Sequence, residues 1–204
     1  MPFSLTLRWN PLRGLIDVSR RKEFRREMDY PVKEVWILRI IMMEAYGASF
    51  SYDEYAKEAS RMYHERYDGG RLPMKTGVVE LLSFLKKEGK KIALASSTRR
   101  QTVMQQLQDA GILPFFDEVI CGDMVENSKP APDIFLKACE KLGVAPENAY
   151  AIEDSYNGIR AAYAGRLHPV MVLDLLPANE EIRVCAEKIA KDLLEVLHYF
   201  QQSR

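Results

Sequence analysis

Lys91-Ile92-Ala93-Leu94-Ala95-Ser96 is a short apolar run that ends in a hydroxyl, and segments of helical period flank it. Upstream, Val78, Val79, Leu81, Leu82 and Leu85 fall on one face of a helix over Gly77 to Glu88, and Gly89 ends it. Downstream, Val103, Met104 and Leu107 mark an amphipathic helix over Arg100 to Ala110, with Gly111 as its stop. The run between them therefore reads as a buried strand. Further along, Glu118-Val119-Ile120-Cys121 is a second strand. A helix follows that Pro132 opens, that turns Ile134, Phe135, Ala138 and Leu142 inward, and that Gly143 closes. Ala149-Tyr150-Ala151-Ile152 is a third strand, Asn157 to Ala164 a helix, and Pro169-Val170-Met171-Val172-Leu173 a fourth strand. Ile182, Ala186, Ile189, Leu193, Val196, Leu197 and Phe200 then read as the stripe of one terminal helix. Strands alternating with helices predict an α/β fold, a Rossmann-like parallel sheet with right-handed crossovers. In such sheets chemistry gathers just beyond the carboxyl ends of the strands.

The first third differs. From about Arg20 to Tyr67 the pattern is helical, with Val35, Leu38, Met42 and Tyr46 on one stripe and Tyr55, Ala59 and Met62 on another. Asp68-Gly69-Gly70 breaks it and Pro73 begins the alternating region, so a helical cap domain near the N-terminus is expected. The expected division is 1–18 as a degenerate or truncated first core segment, 19–72 as the cap and 73–204 as the core.

At 204 residues the chain is long enough for a full core, and 47% apolar with 28% charged residues is ordinary for a globular protein. Lys plus Arg, 29, equals Asp plus Glu, 29, so no global field favours nucleic acid or an acidic membrane surface. Three scattered cysteines, Cys121, Cys139 and Cys185, make neither a disulfide framework nor a zinc site and point to a reduced compartment. The first residues lack the basic and apolar regions of a secretory signal, and no apolar run would span a membrane. A cytoplasmic protein is expected.

Three strand ends carry polar groups. Ser96-Ser97-Thr98 offers hydroxyls and N–H groups ahead of a helix, which suits phosphoryl oxygens, although Ser and Thr are also ordinary helix caps. Lys129, between Ser128 and Pro130, is a placed cation that suits phosphoryl charge, or else a surface lysine beside a helix start. Glu153-Asp154 brings two carboxylates together against their mutual repulsion. Mg²⁺ would relieve that cost, whereas a cap for the next helix needs only one carboxylate.

Ser96, Lys129 and Asp154 follow one another at spacings of 33 and 25 residues. With Lys91 to Ser97, Ser128 to Phe135 and Ile152 to Ala162 around them, they resemble the second, third and fourth motifs of the haloacid dehalogenase (HAD) superfamily. The wording is nearest to its capped small phosphatases and β-phosphoglucomutases. Gly77-Val78, after Pro73 and Lys75, resembles the family's return from cap to core. The resemblance implies that Ser96, with Ser97 beside it, binds the transferring phosphoryl group and that Lys129 neutralises its charge. It implies Mg²⁺ on Asp154 and Glu153, and a phosphorylated small molecule as substrate.

The family's first motif, Asp-x-Asp-Gly, supplies a nucleophile that becomes an aspartyl-phosphate and an acid/base partner. No two aspartates here are separated by a single residue. Aligned on Trp9-Asn10-Pro11-Leu12-Arg13-Gly14-Leu15-Ile16-Asp17, Asn10 takes the nucleophile position and Leu12 that of the acid/base, with Asp17 the other candidate. Asn carries no charge for a metal and Leu can do neither task. A deletion, an alternative start or a shifted frame would account for this. The expected function is a HAD-like hydrolase of small phosphorylated metabolites, or a sugar phosphomutase, impaired in turnover. The alternative is a non-catalytic homologue that binds phosphate and Mg²⁺. An interaction module built on the basic Arg20–Arg26 stretch and Trp36 ranks below both. A partly missing central strand should also loosen the sheet and keep the melting temperature below about 65 °C. Oligomeric state is not legible.

Overall fold

The computed structural model describes residues 4–7, 42–67, 69, 73–174 and 177–202. Asn10, Leu12, Asp17, the Arg20–Arg26 stretch and Trp36 lie outside the described residues. The chain divides into two compact units, 1–10 with 73–204 and 11–72. Pro73 begins the second stretch of the larger unit.

The larger unit holds a parallel sheet of six strands: β1 (Ser4–Leu7), β2 (Lys91–Ser96), β3 (Glu118–Cys121), β4 (Ala149–Glu153), β5 (His168–Val172) and β6 (Lys188–Ala190). Their order is β3-β2-β1-β4-β5-β6. β1 pairs along all four of its residues with both β2 and β4. A central strand is therefore in place, and the loosened sheet expected from its absence loses its basis. Four residues are too few for an apolar alternation to show in the sequence. The neighbours on either side of β1 are reached by chain running in opposite directions along the sheet, which is the switch point where such folds open a crevice.

The terminal stripe is corrected more sharply. Where one helix was expected, there are a helix over Glu180–Cys185, strand β6 and a helix over Leu193–Gln202. Ala186 is extended (φ −87°, ψ 130°) and breaks the first helix, and Glu187 N donates to Pro169 O at 2.8 Å, aligning the chain with β5. Spacings of three and four residues run across all three elements by coincidence.

β2 and β4 each feed two cores, as period-two side chains must in a sheet covered on both faces. Ile92, Leu94, Tyr150 and Ile152 join Leu81, Leu82, Leu85, Val103, Leu107 and Val196, from helices α2 (Val78–Lys87), α3 (Arg100–Asp109) and α7 (Leu193–Gln202). Ala93, Ala95, Ala149 and Ala151 face the other way, onto α4 (Asp133–Leu142) and α5 (Tyr156–Ala164). α4 buries Ile134, Phe135, Ala138 and Leu142, the inward set read from the sequence, and Gly143 closes it with a left-handed backbone (φ 62°). The short helix Glu180–Cys185, α6, adds Ile182 to a third cluster with Ile159 and Met171.

At the amino ends of β4 and β5, Glu187 Oε1 accepts from Tyr150 Oη (3.1 Å) and Tyr199 Oη (2.7 Å), and Oε2 meets His168 Nδ1 at 2.5 Å. Burial pushes the Glu187 carboxyl up, but hydrogen bonds from Tyr199, His168 and Tyr150 outweigh it and hold the group below the usual carboxylate range.

In the smaller unit, residues 42–46 and α1 (Tyr52–Tyr67) are helical, as the pattern predicts. Asp53 and Glu54 lie in the first turn of α1, where the helix dipole favours them. Met42 and Tyr52 are buried, and the Phe50 ring lies 5.4 Å from Tyr46 and 5.6 Å from Tyr55. Among the described residues no helix is long and apolar enough to cross a membrane.

Candidate active site

Register places the two outer motifs at one height. Leu94 of β2 and Ile152 of β4 are both level with Leu7 of β1, so Ser96 and Asp154, two residues further along, stand at equal depth on either side of the central strand. Ser96 is fully buried and its Oγ accepts from Thr98 N at 3.2 Å, while Ser97 is exposed. The strand end thus presents one interior hydroxyl and one at the surface.

Lys129 joins the motifs. It lies in the loop between β3 and α4, before a cis peptide to Pro130, and is 7% exposed. Its ammonium donates to Ala95 O at 3.4 Å, next to Ser96, and forms a buried ion pair with Glu153 Oε1. It also lies 4.4 Å from the centre of the Phe135 ring on α4, a cation–π contact. A lysine kept dry needs such partners, because an unpaired buried ammonium costs several kcal/mol, on the order of 3–5. The second, third and fourth motifs are thereby brought together.

The repulsion between Glu153 and Asp154 is met by separate partners. Glu153 Oε2 accepts from Asp154 N (3.2 Å), Ser155 N (3.3 Å) and Ser155 Oγ (3.0 Å), so both of its oxygens are engaged. Ser155 in turn caps α5, accepting from Gly158 N at 3.1 Å. Helix capping and carboxylate placement are therefore one device, and Ser155, not Asp154, is the cap. Asp154 turns to a different cation: Lys75 Nζ donates to its Oδ2 at 2.9 Å and to Asp174 Oδ2 at 2.8 Å.

Lys75 and Asp174 were not singled out from the sequence, although Asp174 directly follows a hydrophobic strand and Lys75 stands at the return to the core. Among the described residues, two ammonium groups face three carboxylates here.

Two glycines are required by close approach. A side-chain carbon on Gly158 would stand 2.0 Å from Glu153 Cδ, and one on Gly122 would stand 2.3 Å from Ser97 O. Gly122 N also donates to Thr98 O at 3.1 Å, so the end of β3 braces the Ser96–Thr98 turn.

The donor set bears on Mg²⁺. Among the described residues no group of three or more His, Cys, Asp or Glu side chains is placed to hold a metal. Asp154 nevertheless fits as one carboxylate ligand of an ion that keeps most of its water and takes phosphate oxygens. It is 5% exposed at the strand end and already has a cation on Oδ2.

Comparison with known proteins identifies the family of this fold. The family model of haloacid dehalogenase-like hydrolases matches residues 21–165. A phosphorylated carbohydrates phosphatase of Thermotoga maritima is 32% identical over 169 residues, 77% of this chain and 76% of that protein. Protein CbbY of Cereibacter sphaeroides is 34% identical over 115 residues, 55% of this chain and 50% of its own length. The crystal structure of a candidate beta-phosphoglucomutase from Thermotoga maritima superposes with a TM-score of 0.76 at 26% identity, covering 99% of both chains. This chain belongs to the haloacid dehalogenase-like hydrolases, on the branch of capped phosphatases and β-phosphoglucomutase-like enzymes, and its α/β core is theirs.

Proposed function

We propose that the chain hydrolyses phosphate monoesters of small phosphorylated metabolites, sugar phosphates foremost, at a low rate. Ser96 and Ser97 hold the phosphoryl oxygens and Lys129 neutralises their charge. The single observation that carries this reading is the buried Lys129 ammonium, which reaches both Ala95 O beside Ser96 and the Glu153 carboxylate. The phosphorylated carbohydrates phosphatase of Thermotoga maritima supports the substrate class. The three carboxylates among the described residues of the cluster oppose entry of a phosphate dianion, which supports a requirement for a cation. Mg²⁺ on Asp154, with Glu153 behind it, would supply that charge. Slow turnover rests on the missing Asp-x-Asp, since loss of an attacking group costs several powers of ten in rate. The free cysteines support a cytoplasmic setting, with burial pushing the Cys121 and Cys139 thiols up to about 11.

The test is phosphate release from a panel of sugar and nucleotide monophosphates, with and without Mg²⁺, in the wild type and Lys129→Met. Slow, Mg²⁺-dependent release that the substitution abolishes is expected. Interconversion of sugar 1- and 6-phosphates without release would make the chain a mutase. The absent Asp-x-Asp favours a second reading, a non-catalytic protein that binds phosphate and Mg²⁺. Stabilisation by inorganic phosphate with Mg²⁺, but no turnover on any ester, would establish that reading instead.

A further inference from the structure

The helix that follows the Ser96–Thr98 turn takes its cap from another part of the chain. α3 starts at Arg100, and Arg99 at the cap position is extended (φ −64°, ψ 144°), with no side-chain hydrogen bond to the first turn. The acceptor comes from 23 residues further along: Asp123 Oδ1 and Oδ2 accept from Arg100 N at 3.2 and 3.3 Å. Asp123 lies in the tight turn Gly122–Met124 at the end of β3, and Cys121 N donates to Met124 Sδ across that turn at 3.4 Å. Two more bonds join the same segments. Gly122 N donates to Thr98 O at 3.1 Å, and Arg100 Nη1 donates to Val119 O at 2.6 Å. Residues 98–100 are thereby fastened to the end of β3 through backbone and side chain alike.

We infer that Asp123 is a positioning residue for the phosphoryl group: by capping α3 from the β3 side, it sets the Ser96–Thr98 turn against the loop that carries Lys129. This role rests on the proposed reading of Ser96, Ser97 and Lys129 as the groups that hold phosphate. Ser96 is the last residue of β2 and is placed by the strand, but Ser97 lies beyond it and is exposed, so its hydroxyl and N–H take their position from the turn. On the other side of the joint the chain runs from Asp123 straight on to the loop of Lys129. One short stretch thus ends in the cap at one end and in the ammonium at the other. The carboxylate works here as an acceptor rather than as a charge, and an asparagine oxygen can accept the same N–H bond. Without an acceptor the first turn of α3 opens part of the time, and phosphate affinity falls by the fraction of time the turn is in place.

The test is calorimetric binding of inorganic phosphate with Mg²⁺ to the intact chain, together with the melting temperature, in the wild type, Asp123→Ala, Asp123→Asn and Asn179→Ala. Asn179 caps α6, accepting from Ile182 N at 2.8 Å, so its variant controls for the loss of a cap as such. Asp123→Ala should weaken phosphate about fivefold, the weight of one ordinary helix cap. Asp123→Asn should bind within about twofold of the wild type, since Asn and Asp cap about equally well. Asn179→Ala should lower the melting temperature and leave phosphate affinity unchanged. Equal or tighter binding in Asp123→Ala, or a loss as large in Asp123→Asn or Asn179→Ala, would overturn the inference and leave the phosphate reading intact. No phosphate binding by the wild type would overturn both.

Discussion

Gly158→Ala sets two effects of opposite sign against each other. Gly158 lies in the first turn of α5, and replacing a helical glycine by alanine ordinarily stabilises by up to about 1 kcal/mol. Here the added carbon would stand 2.0 Å from Glu153 Cδ, 2.1 Å from Oε2 and 2.5 Å from Oε1. Glu153 is 2% exposed, and both of its oxygens are held by hydrogen bonds or by the Lys129 ion pair. Overpacking alone costs about 1–3 kcal/mol, and pushing the carboxylate off Lys129 adds part of the roughly 3–5 kcal/mol for a broken buried pair. The clash wins, with a net loss of about 3 kcal/mol. For a chain of this length that lowers the melting temperature by roughly 6–12 °C. Calorimetric melts of the wild type, Gly158→Ala, Glu153→Ala and the double variant form the assay. With Glu153 shortened, the alanine should recover its helical advantage, giving a coupling of at least about 2 kcal/mol. A single variant that melts at or above the wild type refutes the reasoning.

Lys129→Met should cost about 3 kcal/mol in urea unfolding at neutral pH, the lower end for a broken buried pair, because three donors remain on Glu153 Oε2. Arg160→Met, which removes the half-exposed pair with Glu181, should cost less than about 1 kcal/mol, and equal losses would contradict the burial argument. The depressed Glu187 carboxyl contributes stability that is complete above its unfolded value of about 4.3 and is lost as pH falls through the lower folded value. Melts from pH 7 to pH 3 should therefore decline less steeply in Glu187→Gln than in the wild type, and parallel curves would rule out this contribution.

The parts legible in the sequence were those where local pattern and tertiary role coincide. β2 shows as Ile92 to Ala95 because both of its faces are buried, and α4 shows because Pro132 and Gly143 bracket a clean apolar face. Ser96, Lys129 and Glu153-Asp154 stand out through strand-end position and spacing, and in the structure Lys129 links them by meeting Ala95 O and Glu153. β6 was hidden because three residues carry no period, and the surrounding spacings imitate a helix. Lys75 belongs to none of the three strand-end motifs, and its pairing with Asp174 spans 99 residues, which no local pattern can encode. Asp174 was within reach of the same strand-end rule, applied once more after Leu173.

The alanine face of the sheet has a consequence for mutational tolerance. Ala93, Ala95, Ala149 and Ala151 let α4 settle onto the central strands, and the loop that leads into α4 carries Lys129. Any larger side chain on that face would lift the helix and raise the lysine from its depth beside Ala95 O. The depth of Lys129 is thus inherited from the smallest residues of the core. Drift there would erode the proposed phosphate binding without touching Ser96, Ser97 or Lys129.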